Sequence, residues 1–126
     1  MIKSLLIVFL GSGLGGALRF LVMKLTHNAE SAFHWGTIMV NIIGCLLLGI
    51  IAGLFSRFGT SEYSLKLFLI MGICGGFTTF STYINDGFSM MRQGEMLPAI
   101  MYLSLSVIGG YVALALAYYL TIKVSL

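Results

Sequence analysis

GGFTTFST, residues 75–82, is the stretch on which the fold turns. It lies in the middle of an apolar segment running from about Ser64 to Met91. As one straight helix, those 28 residues would measure roughly 42 Å, against a hydrocarbon core of roughly 30 Å. A Gly pair followed by two Thr is poor helix former throughout, so the composition predicts that this helix unwinds near its middle. Main chain freed at membrane depth must be buried in protein or line a wet cavity, and such breaks mark ion sites. The alternative is an intact helix whose glycines let a neighbour approach closely.

Outward from that segment, three further apolar stretches complete the pattern: about 4–25, 35–55 and 97–122, with the broken one at 64–91. Each is long enough to cross a bilayer. Only 9% of the 126 residues are charged and 59% are hydrophobic, with a mean hydropathy of +1.03. A water-soluble fold of this composition could not cover itself with polar surface. The expectation is an all-α membrane protein with four transmembrane helices per subunit, residues 1–126 forming a single transmembrane domain. The dividers KLTHNAESAFH, SRFGTSEY and RQGEM hold most of the charge and are too short to be domains. The N-terminus could imitate a secretory signal, but its apolar pattern continues through Leu18, Phe20, Leu21 and Met23. Seven scattered Lys and Arg form no run, so no nucleic-acid partner is expected. Cys45 and Cys74 lie inside apolar stretches and read as small hydrophobes.

Basic residues near the span ends set orientation. Lys3, Arg57, Lys66 and Lys123 fall on one side, Lys24 and Arg92 on the other. That weak bias makes insertion in both orientations physically reasonable, and a chain inserted both ways can form an antiparallel homodimer.

GSGLGG, residues 11–16, satisfies the glycine spacing of a dinucleotide-binding turn, but the nearest downstream acid is Glu30 and no soluble sheet could follow. Gly11 with Gly15, and Ser12 with Gly16, read better as small residues at helix spacing, a device repeated at Gly49 with Gly53 and Gly72 with Gly76. Arg19 and Asp86 are ionisable groups inside spans and need polar surroundings. Arg19 can either snorkel to the interface or face a water-filled vestibule, where it would draw anions. Asp86 shares the second half of the broken helix with a Ser81, Asn85 and Ser89 stripe, which gives that half a wet face. Asn41, one turn after Thr37, is an amide among Val40, Ile42 and Ile43, either interhelical glue or a ligand group. Tyr102 and Ser106 are four apart on the fourth span, and Gly110 continues their face. Neutral amide and hydroxyl donors can replace part of a small anion's water shell and release it again, where a strong cation would trap it. Phe80 and Tyr83 flank the break and can offer electropositive ring edges, or simply pack.

With GGFTTFSTY, Asn41 in VNIIG, and the GxxxG-then-Arg pattern ending at Arg19 and Phe20, the chain resembles the Fluc (CrcB) family of fluoride channels over essentially its whole length. The resemblance implies dual-topology subunits paired antiparallel, two fluoride pores per dimer and a structural sodium ion at the dimer centre. By position, it implies that Asn41 donates to fluoride and that Phe80 presents its ring edge. Ser81, Thr82, Tyr102 and Ser106 would form a polar track, with Thr79 also at the pore, and Arg19 would stand near a vestibule. Gly75 and Thr78 would offer backbone carbonyls to sodium. Tyr83 stands where the family usually has phenylalanine, and Gly110 where relatives often have serine.

The function so implied is passive, fluoride-selective export from the cytoplasm across a prokaryotic plasma or inner membrane, with no catalysis. The rival reading is a small proton-coupled multidrug exporter, which needs an intramembrane carboxylate. Asp86 is the only acid within any span.

Overall fold

The computed structural model describes residues 1–31, 33–59 and 62–124, and all regular structure among them is helical. Helix α1 spans Ile2–Leu25 and α2 spans Trp35–Phe58. The third span begins with a turn at Tyr63–Lys66, widens to a π-helical winding over Leu67–Cys74, and tightens again at Gly75–Phe77. These three pieces together are α3. At Thr78 (φ −80°, ψ 160°) and Thr79 (φ −148°, ψ 119°) the chain is extended, and it re-enters helix as α4, Phe80–Arg92. Helix α5 follows at Met96–Lys123. Among the described residues, four segments are long and apolar enough to cross a membrane: Ile2–Leu25, Trp35–Phe58, Tyr63–Arg92 and Met96–Lys123. The third is therefore broken inside GGFTTFST, as its composition predicts.

Local chemistry sets the ends. Helix α2 stops at Gly59, whose φ of 61° lies in the left-handed region that favours glycine. At the end of α4, Gly94 (φ 82°) lets the Gly94 N–H reach the Met91 carbonyl and the Glu95 N–H reach that of Met90, both at 3.0 Å. This paired pattern satisfies carbonyls that the ending helix orphans. Pro98 sits in the first turn of α5, where its missing N–H has no helical acceptor to lose.

Helices α1 and α3 meet backbone to backbone. A Cβ on Gly11 would stand 2.7 Å from the Phe68 carbonyl and 2.8 Å from the Gly72 Cα, and one on Gly76 would stand 2.5 Å from the Ser12 carbonyl. Gly49 and Gly53 let α2 approach α5 in the same way, against Leu114 and Thr121. The glycine pairs thus serve packing within the subunit. The Ser12 and Gly16 pair divides: Ser12 meets Gly76, while Gly13 and Gly16 have nothing within 4 Å and face outward. The most buried cluster, Ile38, Tyr83, Met90, Ala99 and Tyr102, lies where α2 begins, α4 ends and α5 begins. Elsewhere the outer faces carry Leu5, Phe9, Leu21, Met71 and Ile108, apolar groups suited to lipid.

Candidate functional site

The break is held from outside its own helix. Asn41 of α2 donates from Nδ2 to the Thr79 carbonyl at 3.1 Å and accepts from the Thr79 N–H on Oδ1 at 2.8 Å. A side-chain amide here does what a neighbouring strand would do for an extended residue, satisfying both main-chain groups of a residue only 6% exposed. Thr79 also begins α4: its Oγ1 accepts from the Thr82 N–H at 3.3 Å and donates to Thr82 Oγ1 at 3.0 Å. The remaining carbonyl at the break, that of Thr78, accepts from Arg19 Nη1 at 3.2 Å. Arg19 therefore neither simply snorkels nor stands free; it ties α1 to the unwound segment.

A cavity of about 350 Å³ opens beside the break, between α2, α3, α4 and α5. Asn41, Gly75, Thr78, Thr79, Phe80, Tyr83 and Ser106 line it, with apolar walls from Leu48, Ile70 and Val107. An amide has two N–H groups, and Asn41 uses one on Thr79, so its second has no partner among the described residues. Ser106 Oγ is buried and likewise unpartnered among them. Two neutral donors thus share one cavity, with no cationic side chain in its wall among the described residues. The Phe80 and Tyr83 rings stand 5.9 Å apart at 46°. The Tyr83 hydroxyl does not compete for a ligand, because it donates to the Leu103 carbonyl of α5 at 2.7 Å. Gly110 completes the far wall beside Cys45.

Four of the sequence-derived residues lie off this cavity. Arg19 is behind the break; Thr82 is engaged with Thr79; Ser81 is exposed on the outer face of α4 together with Asn85. Tyr102 is fully buried, and its hydroxyl donates to Asp86 Oδ2 at 2.8 Å. The same oxygen accepts from Thr37 Oγ1 at 2.8 Å, and His34 Nδ1 stands 3.9 Å from Asp86 Oδ1. Asp86 thus joins α2, α4 and α5 at one end of the bundle. Nothing in the apolar periodicity marks His34, which lies just before α2. Its only signal is that Thr37 and the Asp86 stripe are polar at depths where lipid-facing residues would not be.

Could the break hold a cation? The Thr79 N–H that would have bonded the Gly75 carbonyl in a continuous helix goes to Asn41 instead, so that carbonyl is released from the helical ladder. It suits an oxygen-seeking cation. The Thr78 carbonyl shares its lone pairs with the Arg19 guanidinium, so a cation there would lie beside a positive charge. Among the described residues no cluster of His, Cys, Asp or Glu could hold a metal.

Residues 6–118 match the family described as "CrcB-like protein, Camphor Resistance (CrcB)". The chain is 38% identical over 120 residues to a fluoride-specific ion channel of Phocaeicola vulgatus, covering 94% of this chain and 98% of the relative. It is 41% identical over 113 residues to proteins of the same name from a Methylobacterium species, with 90% and 91% covered, and from Chlorobium phaeobacteroides, with 90% and 88% covered.

Proposed function

The chain belongs to the CrcB-like family, and from that membership we propose that it is a passive, fluoride-selective ion channel rather than an enzyme. It is a multi-pass protein of the prokaryotic cell membrane. The observation that carries the reading is the cavity at the break, where the second Asn41 N–H and the unpartnered Ser106 hydroxyl are neutral donors beside two aromatic rings. Such donors can take over part of a small anion's hydration without trapping it, and ring edges add weak electropositive contacts. Fluoride that enters a cell as neutral HF ionises in the cytoplasm, and a passive pore lets it leave. The exporter reading has no support: the Asp86 carboxylate is held by two hydroxyls away from this cavity.

Pairing of two copies is supported by the outer face of α4. Phe80 is 76% exposed in the subunit, next to exposed Ser81 and Asn85. Polar groups at membrane depth are covered by protein rather than lipid. A second copy in the opposite orientation fits the weak charge bias, giving an antiparallel dimer with two pores. In that assembly the released Gly75 carbonyls from both copies would hold a structural sodium ion and lock the two breaks together, while the Thr78 carbonyl expected beside them is shared with Arg19.

Reconstitution tests the function. Vesicles loaded with fluoride and chloride release fluoride rapidly and chloride negligibly; equal release of both defeats the selectivity claim.

A further inference from the structure

The chain has two cysteines, one on α2 and one on α3, and the fold brings them to one place. Cys45 and Cys74 both line the cavity beside the break, and both are free thiols. Cys74 closes the π-helical winding of α3. Its carbonyl accepts from the Thr78 N–H at 3.1 Å and from Thr78 Oγ1 at 3.0 Å, which fixes it against the break. Gly44 lets α2 sit directly on the Thr78 side chain, and the next residue of α2 is Cys45. The Cys45 sulfur has room because Gly110 of α5 carries no side chain: a Cβ there would stand 3.1 Å from it. The two thiols are near enough for a charge on one to act on the other.

The rest of the wall selects the ligand. Among the described residues it holds no carboxylate and no imidazole, so the side chains that usually draw divalent cations are missing there. Sulfur is the donor that selects soft cations. No larger group of Cys, His, Asp or Glu forms among the described residues to complete a wider coordination shell. The pair therefore suits ions that are satisfied by two sulfurs in a line, which are copper(I), silver(I) and mercury(II).

We propose that Cys45 and Cys74 form a dithiol site for a soft, thiophilic metal ion and, resting on the channel reading, that a metal held there stops fluoride passage. Binding breaks two S–H bonds, releases two protons to water and forms two metal–sulfur bonds, with no change of oxidation state. A monovalent ion leaves the complex with a net negative charge, which repels an anion. Mercuric ion leaves it neutral and acts by occupying the cavity that Asn41 and Ser106 share.

Mercuric chloride is the probe, titrated into the purified protein and followed by sulfur-to-mercury charge-transfer absorption in the ultraviolet. The band grows to a break at about one mercury per chain. The same addition lowers fluoride efflux from reconstituted vesicles by at least about tenfold, equivalent to about 1.4 kcal/mol, and dithiothreitol restores it. Cys45→Ala and Cys74→Ala each lose the two-sulfur band, and each keeps its own untreated efflux rate at the mercury concentration that stops the parent. A break at about two mercury per chain marks independent thiols and overturns the site, as does the absence of any band or a block that persists in either variant. One mercury held per chain with efflux unchanged overturns the block. Both readings on the parent protein stand even where a variant fails to fold. Parent vesicles that release no fluoride before mercury is added defeat the channel reading, and the absorption break still decides the dithiol site.

Discussion

Replacing Asn41 by alanine tests the central claim about the break. The side chain satisfies the Thr79 N–H and carbonyl through bonds of 2.8 and 3.1 Å. Truncation leaves both main-chain groups without a partner at a residue 6% exposed. Each orphaned buried polar group costs about 1–3 kcal/mol. Interhelical hydrogen bonds measured in membrane proteins average nearer 0.6 kcal/mol, so the low end is the appropriate one and the total is about 2 kcal/mol. At about 1.4 kcal/mol per tenfold, the conformation with an extended Thr79 falls roughly 30-fold relative to rearranged ones. Asn41→Ala is therefore expected to lower fluoride efflux from vesicles by at least that order, and to lower the midpoint of thermal unfolding in detergent. Asn41→Gln, with the same amide displaced by one methylene, restores little. An Asn41→Ala protein that melts and conducts like its parent would show that the break is held by something else, and the reasoning would fail at its first step.

Three further outcomes separate structural from conducting roles. Ser106→Ala removes a hydroxyl with no partner among the described residues, so thermal stability is unchanged while fluoride efflux falls about tenfold, the worth of one hydrogen bond to an anion. A loss of stability without loss of flux would make Ser106 a packing residue. Tyr83→Phe removes the bond to the Leu103 carbonyl and leaves the ring, costing about 1 kcal/mol of stability with flux within about threefold of the parent; abolished flux would place the hydroxyl in the conduction path. Gly11→Val drives a side chain into the Phe68 carbonyl and the Gly72 backbone and costs about 3 kcal/mol or more. Gly13→Ala, with nothing within 4 Å, is neutral or gains under about 1 kcal/mol. Size-exclusion profiles of the two distinguish them.

The helices were legible because lipid imposes a simple rule, that every main-chain group must be bonded within its own segment, and long apolar stretches report compliance. The break was legible for the converse reason: Gly75, Gly76, Thr78 and Thr79 sit where compliance is weakest, and the extended residues are Thr78 and Thr79. Side-chain partners were not legible. Four-residue spacing puts Tyr102 and Ser106 on one face, but an α-helix turns about 40° beyond a full circle over four residues. That offset sends Tyr102 to Asp86 while Ser106 lines the cavity. Arg19 and Thr78 lie 59 residues apart, and no local pattern announces their contact. The π-helical winding at Leu67–Cys74 contains no Pro, and an apolar run such as LFLIMGIC reads the same in either helix type. It lies along the glycine contact with α1, where two backbones touch.

That Asn41 lies on α2 and the residue it restrains lies beyond α3 has a bearing on biogenesis. The chain is made from its N-terminus, so the amide is already in the bilayer when the glycine-threonine stretch emerges. The later segment can enter as a single coil, with its peptide groups satisfied internally, and open only on meeting its docking partner. Insertion by that route exposes no bare peptide to hydrocarbon, and the cavity beside the break is complete only once α5 brings Ser106 to its wall.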